Sequence, residues 1–238
     1  MDIFFAGTPN SAAEILKSLA SNSLFNIKGV ITQPDKKGKR GNQRIESPVS
    51  LMANSLDIQT YKPKNLSKEQ IQNDIDITNA DILLVVAYGN LIPNWILDSN
   101  IKAINIHYSL LPSYRGASPI QSSLLNNDKK TGVTFMQMSE DLDAGKVIKC
   151  FEVPINKNDN KSSLEKKLTK LSILNLEKVV TDFYSNKIIP VDQDHEKATY
   201  CKKISKEDSI INFKESAEKI FAKFRAYNEW PGICFLHK

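Results

Sequence analysis

Asn105 and His107 stand two residues apart at the end of a short apolar run, 103–106. On a β-strand that spacing puts both side chains on one face. A turn containing Pro112 and Gly116 follows, and a helix is expected from Ala117. A strand that ends in polar residues and a turn is where open α/β sheets bind ligands. Further on, Asp141-Leu142-Asp143-Ala144-Gly145 supplies carboxylates in a second loop. An amide, an imidazole and a carboxylate converging at loop ends can stabilise an oxyanion and move a proton. A single histidine at a strand end can equally be a core residue satisfied by a backbone carbonyl. The surrounding residues give the chemical reading its weight.

The elements that must position these residues alternate. Residues 3–5 form a short buried strand, and Gly7-Thr8-Pro9 turns the chain into a helix over 10–20, apolar at Ile15, Leu16 and Leu19. Residues 27–32 are a second strand. The stretch 33–47 is polar, basic and glycine-containing, so it reads as a loop. Pro48 opens a helix over 48–56, residues 58–61 suit a short strand, and Ser67 and Gln70 have capping-box spacing for a helix over 67–75. Residues 81–87 are apolar on both faces, as in a central parallel strand covered by helices. The next strand is 101–107. Residues 132–138 and 146–155 read as two strands joined by the Asp143 loop. Leu164, Leu168, Leu171, Leu174 and Val179 give one apolar face to a long helix over 161–184. This βαβα rhythm implies an α/β fold with a doubly wound, mostly parallel, Rossmann-like sheet. After residue 186 the pattern changes. Residues 188–199 are polar and irregular, a helix is expected over 214–227, and a short apolar run, 233–236, follows Trp230-Pro231-Gly232.

The chain has 238 residues, enough for one large core with a smaller addition. A formal net charge of +5 permits an acidic partner without demanding one. Cys150, Cys201 and Cys234 are far apart, with no CxxC pair and no zinc spacing, which suits reduced thiols in a cytoplasmic protein and no metal. The first residues read as a strand, without the basic n-region and apolar h-region of a signal peptide. No apolar run approaches the length of a membrane span. Gly7-Thr8-Pro9 is not a GxGxxG fingerprint, so a dehydrogenase reading lacks its main support.

Taken in order, the motifs resemble the folate-dependent formyltransferases, and within them the methionyl-tRNA formyltransferases. The pieces are Phe5-Ala6-Gly7-Thr8-Pro9, Thr32-Gln33-Pro34-Asp35, Ser47-Pro48-Val49, Val85-Val86-Ala87-Tyr88-Gly89, Asn105-Ile106-His107 and Ser109-Leu110-Leu111-Pro112. Arg115-Gly116, Pro119-Ile120-Gln121, Gly132-Val133-Thr134, Met136-Gln137-Met138 and Leu142-Asp143-Ala144-Gly145 continue the series. The resemblance implies transfer of the formyl group of 10-formyltetrahydrofolate to the amino group of methionyl-initiator tRNA, in translation initiation. It implies Asn105, His107 and Asp143 as the catalytic set, with Asp141 the competing carboxylate. Ser109, Leu110, Leu111 and Pro112 match the tetrahydrofolate-binding segment. Tyr88, Leu91, Ile92, Pro93 and Met138 are expected to wall the pterin, which needs apolar surfaces with a few backbone hydrogen bonds. Lys36, Lys37, Lys39, Arg40 and Arg44 match a tRNA-contacting loop, Arg40 falling on its key arginine, and suit phosphate contact. A monomer is expected.

The resemblance also implies an OB-like C-terminal domain, of which only an opening is expected here. The expected division is a catalytic domain over 1–185, a linker over 186–205 and an incomplete C-terminal unit over 206–238. On that view the first 185 residues are a complete core, with the tail poorly packed or leaning on it through Phe221, Phe224 and Trp230. Two rival functions stay open. A sugar-nucleotide amine formyltransferase shares the fold, triad and folate but does not need the basic loop. A non-catalytic RNA-binding α/β domain keeps the loop and has no use for the converging triad.

Overall fold

The computed structural model describes residues 1–38, 44–71 and 75–236. Strand β1 (Asp2–Gly7) is almost wholly buried and feeds helix α1 (Asn10–Ala20) through the turn at Thr8 and Pro9. α1 buries Ala12, Ala13, Ile15, Leu16 and Leu19 along one face, the 3.6-residue stripe seen in its sequence. β2 (Asn26–Ile31) follows, then a two-stranded ribbon, β3 (Lys36–Lys37) and β4 (Arg44–Ile45), where the sequence suggested only a loop. Ser47 caps α2 (Pro48–Ser55), its hydroxyl accepting from the Ser50 amide at 3.0 Å. β5 (Thr60–Tyr61) and a short α3 (Lys68–Ile71) come next. The helix expected over 67–75 is thus seen for one turn, and residues 72–74 lie outside the described residues.

β6 (Ile82–Val86) is buried at every position. α4 (Asn94–Leu97), β7 (Lys102–His107), β8 (Arg115–Gly116) and α5 (Pro119–Leu125) lead to β9 (Lys130–Gln137) and β10 (Val147–Pro154). The long α6 (Lys161–Tyr184) opens with a capping box. The Asn160 side chain accepts from the Ser163 amide at 2.9 Å, and the Ser163 hydroxyl accepts from the Asn160 amide at 3.1 Å. β11 (Tyr200–Cys201) and α7 (Ala217–Tyr227) complete the order.

The main sheet runs β10-β9-β7-β6-β1-β2-β5. The five strands from β7 to β5 are parallel, and β9 and β10 add an antiparallel edge. Strand order reverses between β1 and β6, so the crevice at their carboxyl ends is the switch point where such sheets bind ligands. One face packs Phe5, Ile104, Ile106 and Phe135 against α1 and α6. The other packs Phe4, Ala6, Leu83, Val85 and Ala103 under a thinner cover that includes Ile77, Ile92 and Ile96. Asn105 and His107 continue the Ala103 side of β7, which places them on this second face.

The tail departs from expectation. Residues 186–205, expected as a linker, run as a strap across the molecule. Val191 makes two backbone hydrogen bonds with Val147 of β10, and β11 pairs in parallel with β8. α7 packs on α5 through Ala222, Arg225, Ala226 and Tyr227, while Phe221, Phe224 and Trp230 are each about half exposed (50%, 52% and 50%). Arg225 is buried there and donates to the Asn127 side chain and to the Leu124 and Asp159 carbonyls. Ala226 and Tyr227 belong to the same apolar cluster as α1 and α6, so α7 adds to the core built by the first 185 residues. In the run 233–236 the Cys234 amide donates to the Ser209 carbonyl, and the Ile211 amide donates to the Cys234 carbonyl.

Candidate active site

Three segments build the cleft beyond the carboxyl end of β7. β7 supplies Asn105 and His107, the turn after it supplies Tyr114 and Gly116, and the loop between β9 and β10 supplies Asp143. The Asn105 amide donates to Asp143 Oδ1 at 3.3 Å. His107 Nδ1 lies 3.7 Å from Asp143 Oδ2, an ion-pair separation. The Gly116 amide donates to the same Oδ2 at 2.8 Å. Both members of the His107–Asp143 pair are largely withdrawn from solvent, with side-chain exposures of 7% and 13%. The two residues singled out by spacing and the aspartate implied by the resemblance thus lie together.

The other face of the imidazole is committed. His107 Nε2 sits 2.9 Å from the Tyr114 carbonyl, so a neutral ring keeps its proton on Nε2 and presents a lone pair at Nδ1. Tyr114 is held to that task. Its φ is +59°, its amide donates to the Thr199 hydroxyl at 2.8 Å, and its phenol donates to Asp128 at 2.7 Å. Burial, with Asp128 adding to it against a hydrogen bond from Asn126, pushes the Tyr114 phenol up to about 12. Asp143 also has a positive φ, +50°, a conformation the loop imposes on a residue other than glycine. Two residues on, Gly145 crosses β9 so closely that a Cβ would overlap the Gln137 carbonyl.

Asp141 is exposed and does not reach the triad; its carbonyl closes the turn by accepting from the Ala144 amide. It lines a cleft of about 350 Å³ with Gln137, Met138, Gly145, Asp192 and His195. A second hollow of about 490 Å³, between α2 and β5, is remote from the triad.

The residues expected to hold folate divide into two groups. In the Ser109–Pro112 turn, the buried Ser109 hydroxyl donates to the Ser113 carbonyl at 2.5 Å. Thr134 ties the turn to β9, donating to the Ser109 carbonyl and accepting from the Leu111 amide at 2.7 and 3.1 Å. Leu110 lies over Gly132 of β9. Tyr88, Ile92 and Met138 share the second apolar face, whereas Leu91 stands out to solvent. The Tyr88 hydroxyl is buried without a hydrogen-bond partner among the described residues. The Thr8 hydroxyl and the Gln33 amide both donate to the Tyr88 carbonyl, at 2.9 and 3.2 Å. Two motifs that seemed separate in the sequence therefore hold this loop together.

The basic loop is a ribbon with a locked base. Lys36 pairs with Ile45 and Lys37 with Arg44, all exposed; Lys39 and Arg40 lie outside the described residues. Asp35 and Glu46, at the two feet of the ribbon, both bind Lys62 Nζ, at 2.7 and 2.9 Å. Burial works to lower the Lys62 ammonium, and its hydrogen bonds to Asp35 and Glu46 outweigh that and hold it above the ordinary lysine value. Asp35 is thus an ion-pair partner. Sequence reasoning missed Tyr114, Thr199 and the strap: a backbone carbonyl carries no side-chain signal, and residues 188–199 show no periodicity.

Among the described residues no helix is long and apolar enough to cross a membrane, and no three acidic, histidine or cysteine side chains cluster as a metal site.

Comparison with known proteins agrees with this architecture. WlaRD, a sugar 3N-formyl transferase determined with dTDP and 5-N-formyl-THF, superposes with a TM-score of 0.73 at 24% identity, covering 98% of this chain and 82% of that one. A 4-N formyltransferase from Francisella tularensis gives 0.77 at 20% identity, covering 100% and 93%. HypX from Aquifex aeolicus in complex with tetrahydrofolic acid gives 0.69 at 15% identity, covering 98% of this chain and 35% of that one. The family model described as formyl transferase, C-terminal domain, matches residues 203–238. With the model described as formyl transferase matching residues 1–180, the chain belongs to the formyl transferase family.

Proposed function

We propose that this enzyme transfers a formyl group from 10-formyltetrahydrofolate to a primary amine, with Asn105, His107 and Asp143 as its catalytic set. The observation that carries the reading is the convergence of those three side chains at the switch-point end of the sheet, His107 being fixed by Tyr114 and Asp143 by Gly116. The amine nitrogen attacks the formyl carbon, and the carbonyl electron pair moves to oxygen. Asn105 has one amide hydrogen on Asp143 and a second free for that oxyanion. His107 Nδ1 takes the proton released by the amine, and the imidazolium then faces the Asp143 carboxylate. Collapse of the intermediate breaks the bond from the formyl carbon to N10, and N10 takes the proton from His107. The proton on Nε2 is spent on the Tyr114 carbonyl, which leaves the oxyanion to Asn105. The turn at Ser109–Pro112 and the Tyr88–Ile92 wall are the surfaces we assign to the donor. WlaRD and HypX, which share the fold, were solved with folates.

For the acceptor we favour methionyl-initiator tRNA. The support is the ordered motif series in the sequence and the ribbon that holds Lys36, Lys37 and Arg44 out to solvent. A second reading, an amino-sugar nucleotide, is favoured by the solved structures, several of which are sugar N-formyltransferases. Formyl transfer from labelled 10-formyltetrahydrofolate, offered charged initiator tRNA and a dTDP-amino sugar in separate reactions, decides between them. The tRNA reading requires label in formylmethionyl-tRNA, in a reaction inhibited by added salt. Label in the sugar alone would reverse the order of the two readings.

A further inference from the structure

We propose that Gln193, oriented by Arg115, is a positioning residue that holds the Asp143 loop in its reactive place. Gln193 lies in the strap between α6 and β11 and is 5% exposed. Its amide nitrogen donates to the Asp143 carbonyl at 2.9 Å and to the Gly145 carbonyl at 2.7 Å. Its amide oxygen accepts twice from Arg115, from Nε at 3.1 Å and from Nη2 at 2.8 Å. All four hydrogen-bonding positions of the side chain are therefore filled. The guanidinium, having no acceptor of its own, fixes the polarity of the amide: the oxygen must face Arg115, so both N–H groups must face the loop. Arg115 is itself buried, and the structure directs it at Gln193, the Tyr200 hydroxyl at 3.3 Å and His195 Nδ1 at 3.3 Å. The next residue in the chain, Gly116, holds the Asp143 carboxylate by its backbone amide. Arg115-Gly116 thus grips Asp143 from two sides, directly through Gly116 and through Gln193 at the backbone. Gly116 allows this by its φ of +114° and by lacking a Cβ, which would meet the Cys201 carbonyl.

The strap is pinned on either side of Gln193, by Val191 on β10 and by Tyr200–Cys201 on β8. It therefore acts as a fixed bracket. Both Asp143 and Gly145 need the brace, since one has a positive φ and the other crosses β9 at close range. The catalytic consequence rests on the proposed formyl-transfer chemistry, and the geometric consequence does not. Gln193→Glu tests both. It keeps an acceptor for Arg115 and turns the two donors into an oxygen facing two carbonyls. Gln193→Met, which removes every hydrogen bond at similar volume, is the second variant. Three quantities are read: the Gly116 amide proton shift by NMR, kcat and KM for the folate donor, and the melting temperature.

In Gln193→Glu the Gly116 proton should move upfield toward its position in Asp143→Ala. kcat should fall about 10²-fold, the cost of a misplacement of about 1 Å, with KM for the donor unchanged. The unfolded fraction at the assay temperature, read from the melting curve, separates a loss of position from a loss of folding. An unmoved Gly116 proton with parental kcat in both variants overturns the proposal. So does a loss of activity that only tracks the unfolded fraction. If the parent transfers no formyl group to any acceptor, the proposed function falls, and the Gly116 shift still decides the positioning role.

Discussion

His107 is the residue whose surroundings say most about its task. One ring nitrogen is fixed by a backbone carbonyl at 2.9 Å and the other faces a carboxylate at 3.7 Å. On this account His107→Ala removes the proton acceptor and should lower kcat by about 10²–10⁴-fold. Asn105→Ala removes an oxyanion donor and should cost about 10²–10³-fold. Neither substitution should change the equilibrium affinity for the folate, measured by calorimetry, because neither side chain belongs to the donor wall. A parallel loss of folate affinity would move these residues from the chemistry to the binding site. The i, i+2 spacing of Asn105 and His107 was legible in the sequence because strand periodicity fixes which face a side chain takes. The partner of Nε2 was not, because any of several backbone carbonyls could have come there and only the fold selects Tyr114.

At the scale of elements, the β3–β4 ribbon and the start of α6 each carry a prediction. If tRNA is the acceptor, Lys37→Ala and Arg44→Ala should raise KM for charged tRNA. Each should also flatten the dependence of tRNA affinity on log salt, by about one unit for every phosphate left without its cation. KM for folate should hold, and an equal rise there would assign the ribbon to the donor side. Asp159 sits ahead of α6, accepting from the Asn156 amide at 2.7 Å, the Ser163 hydroxyl at 2.8 Å and Lys167 at 2.5 Å. Burial works to raise its carboxyl, and those bonds outweigh burial and leave it below the ordinary carboxylate value. A lowered folded value stabilises the fold at pH above the unfolded value, about 3.9, and that contribution is lost as pH falls through the folded one. Asp159→Asn should therefore be less stable than the parent at pH 7, with the gap closing as the solution is acidified below about pH 4. Denaturant midpoints measured along that series check it, and a gap independent of pH would contradict it. The helix itself was plain in the sequence from its leucines. The ribbon was not, because two-residue strands leave no alternation to read and the lysine that joins their feet, Lys62, comes from a different part of the chain.

At the scale of the whole molecule, the tail closes both the core and the site. The parallel, doubly wound sheet could be inferred from the alternation of apolar runs and amphipathic stretches, because strands apolar on both faces must be covered and the amphipathic helices supply the cover. The strap and the packing of α7 could not, because Gln193, Thr199 and Arg225 act through partners about 50 to 100 residues away in sequence. A chain stopped after Ser185 should accordingly melt on the order of 10 °C lower, a few kcal/mol at 2–4 °C each, and should transfer no formyl group. Full activity in that fragment would show that the first 185 residues suffice after all. The claim on which all of this turns is that the converged triad moves a formyl group from folate to an amine. Single-turnover quench flow with 10-formyltetrahydrofolate, for the parent and for Asp143→Ala, tests it most directly. The account predicts one tetrahydrofolate released for each amine formylated in the parent, and a chemical step slowed by at least about 10²-fold in the variant with folate still bound. An unslowed chemical step in Asp143→Ala would contradict it, as would tetrahydrofolate release by the parent without formylation of the amine.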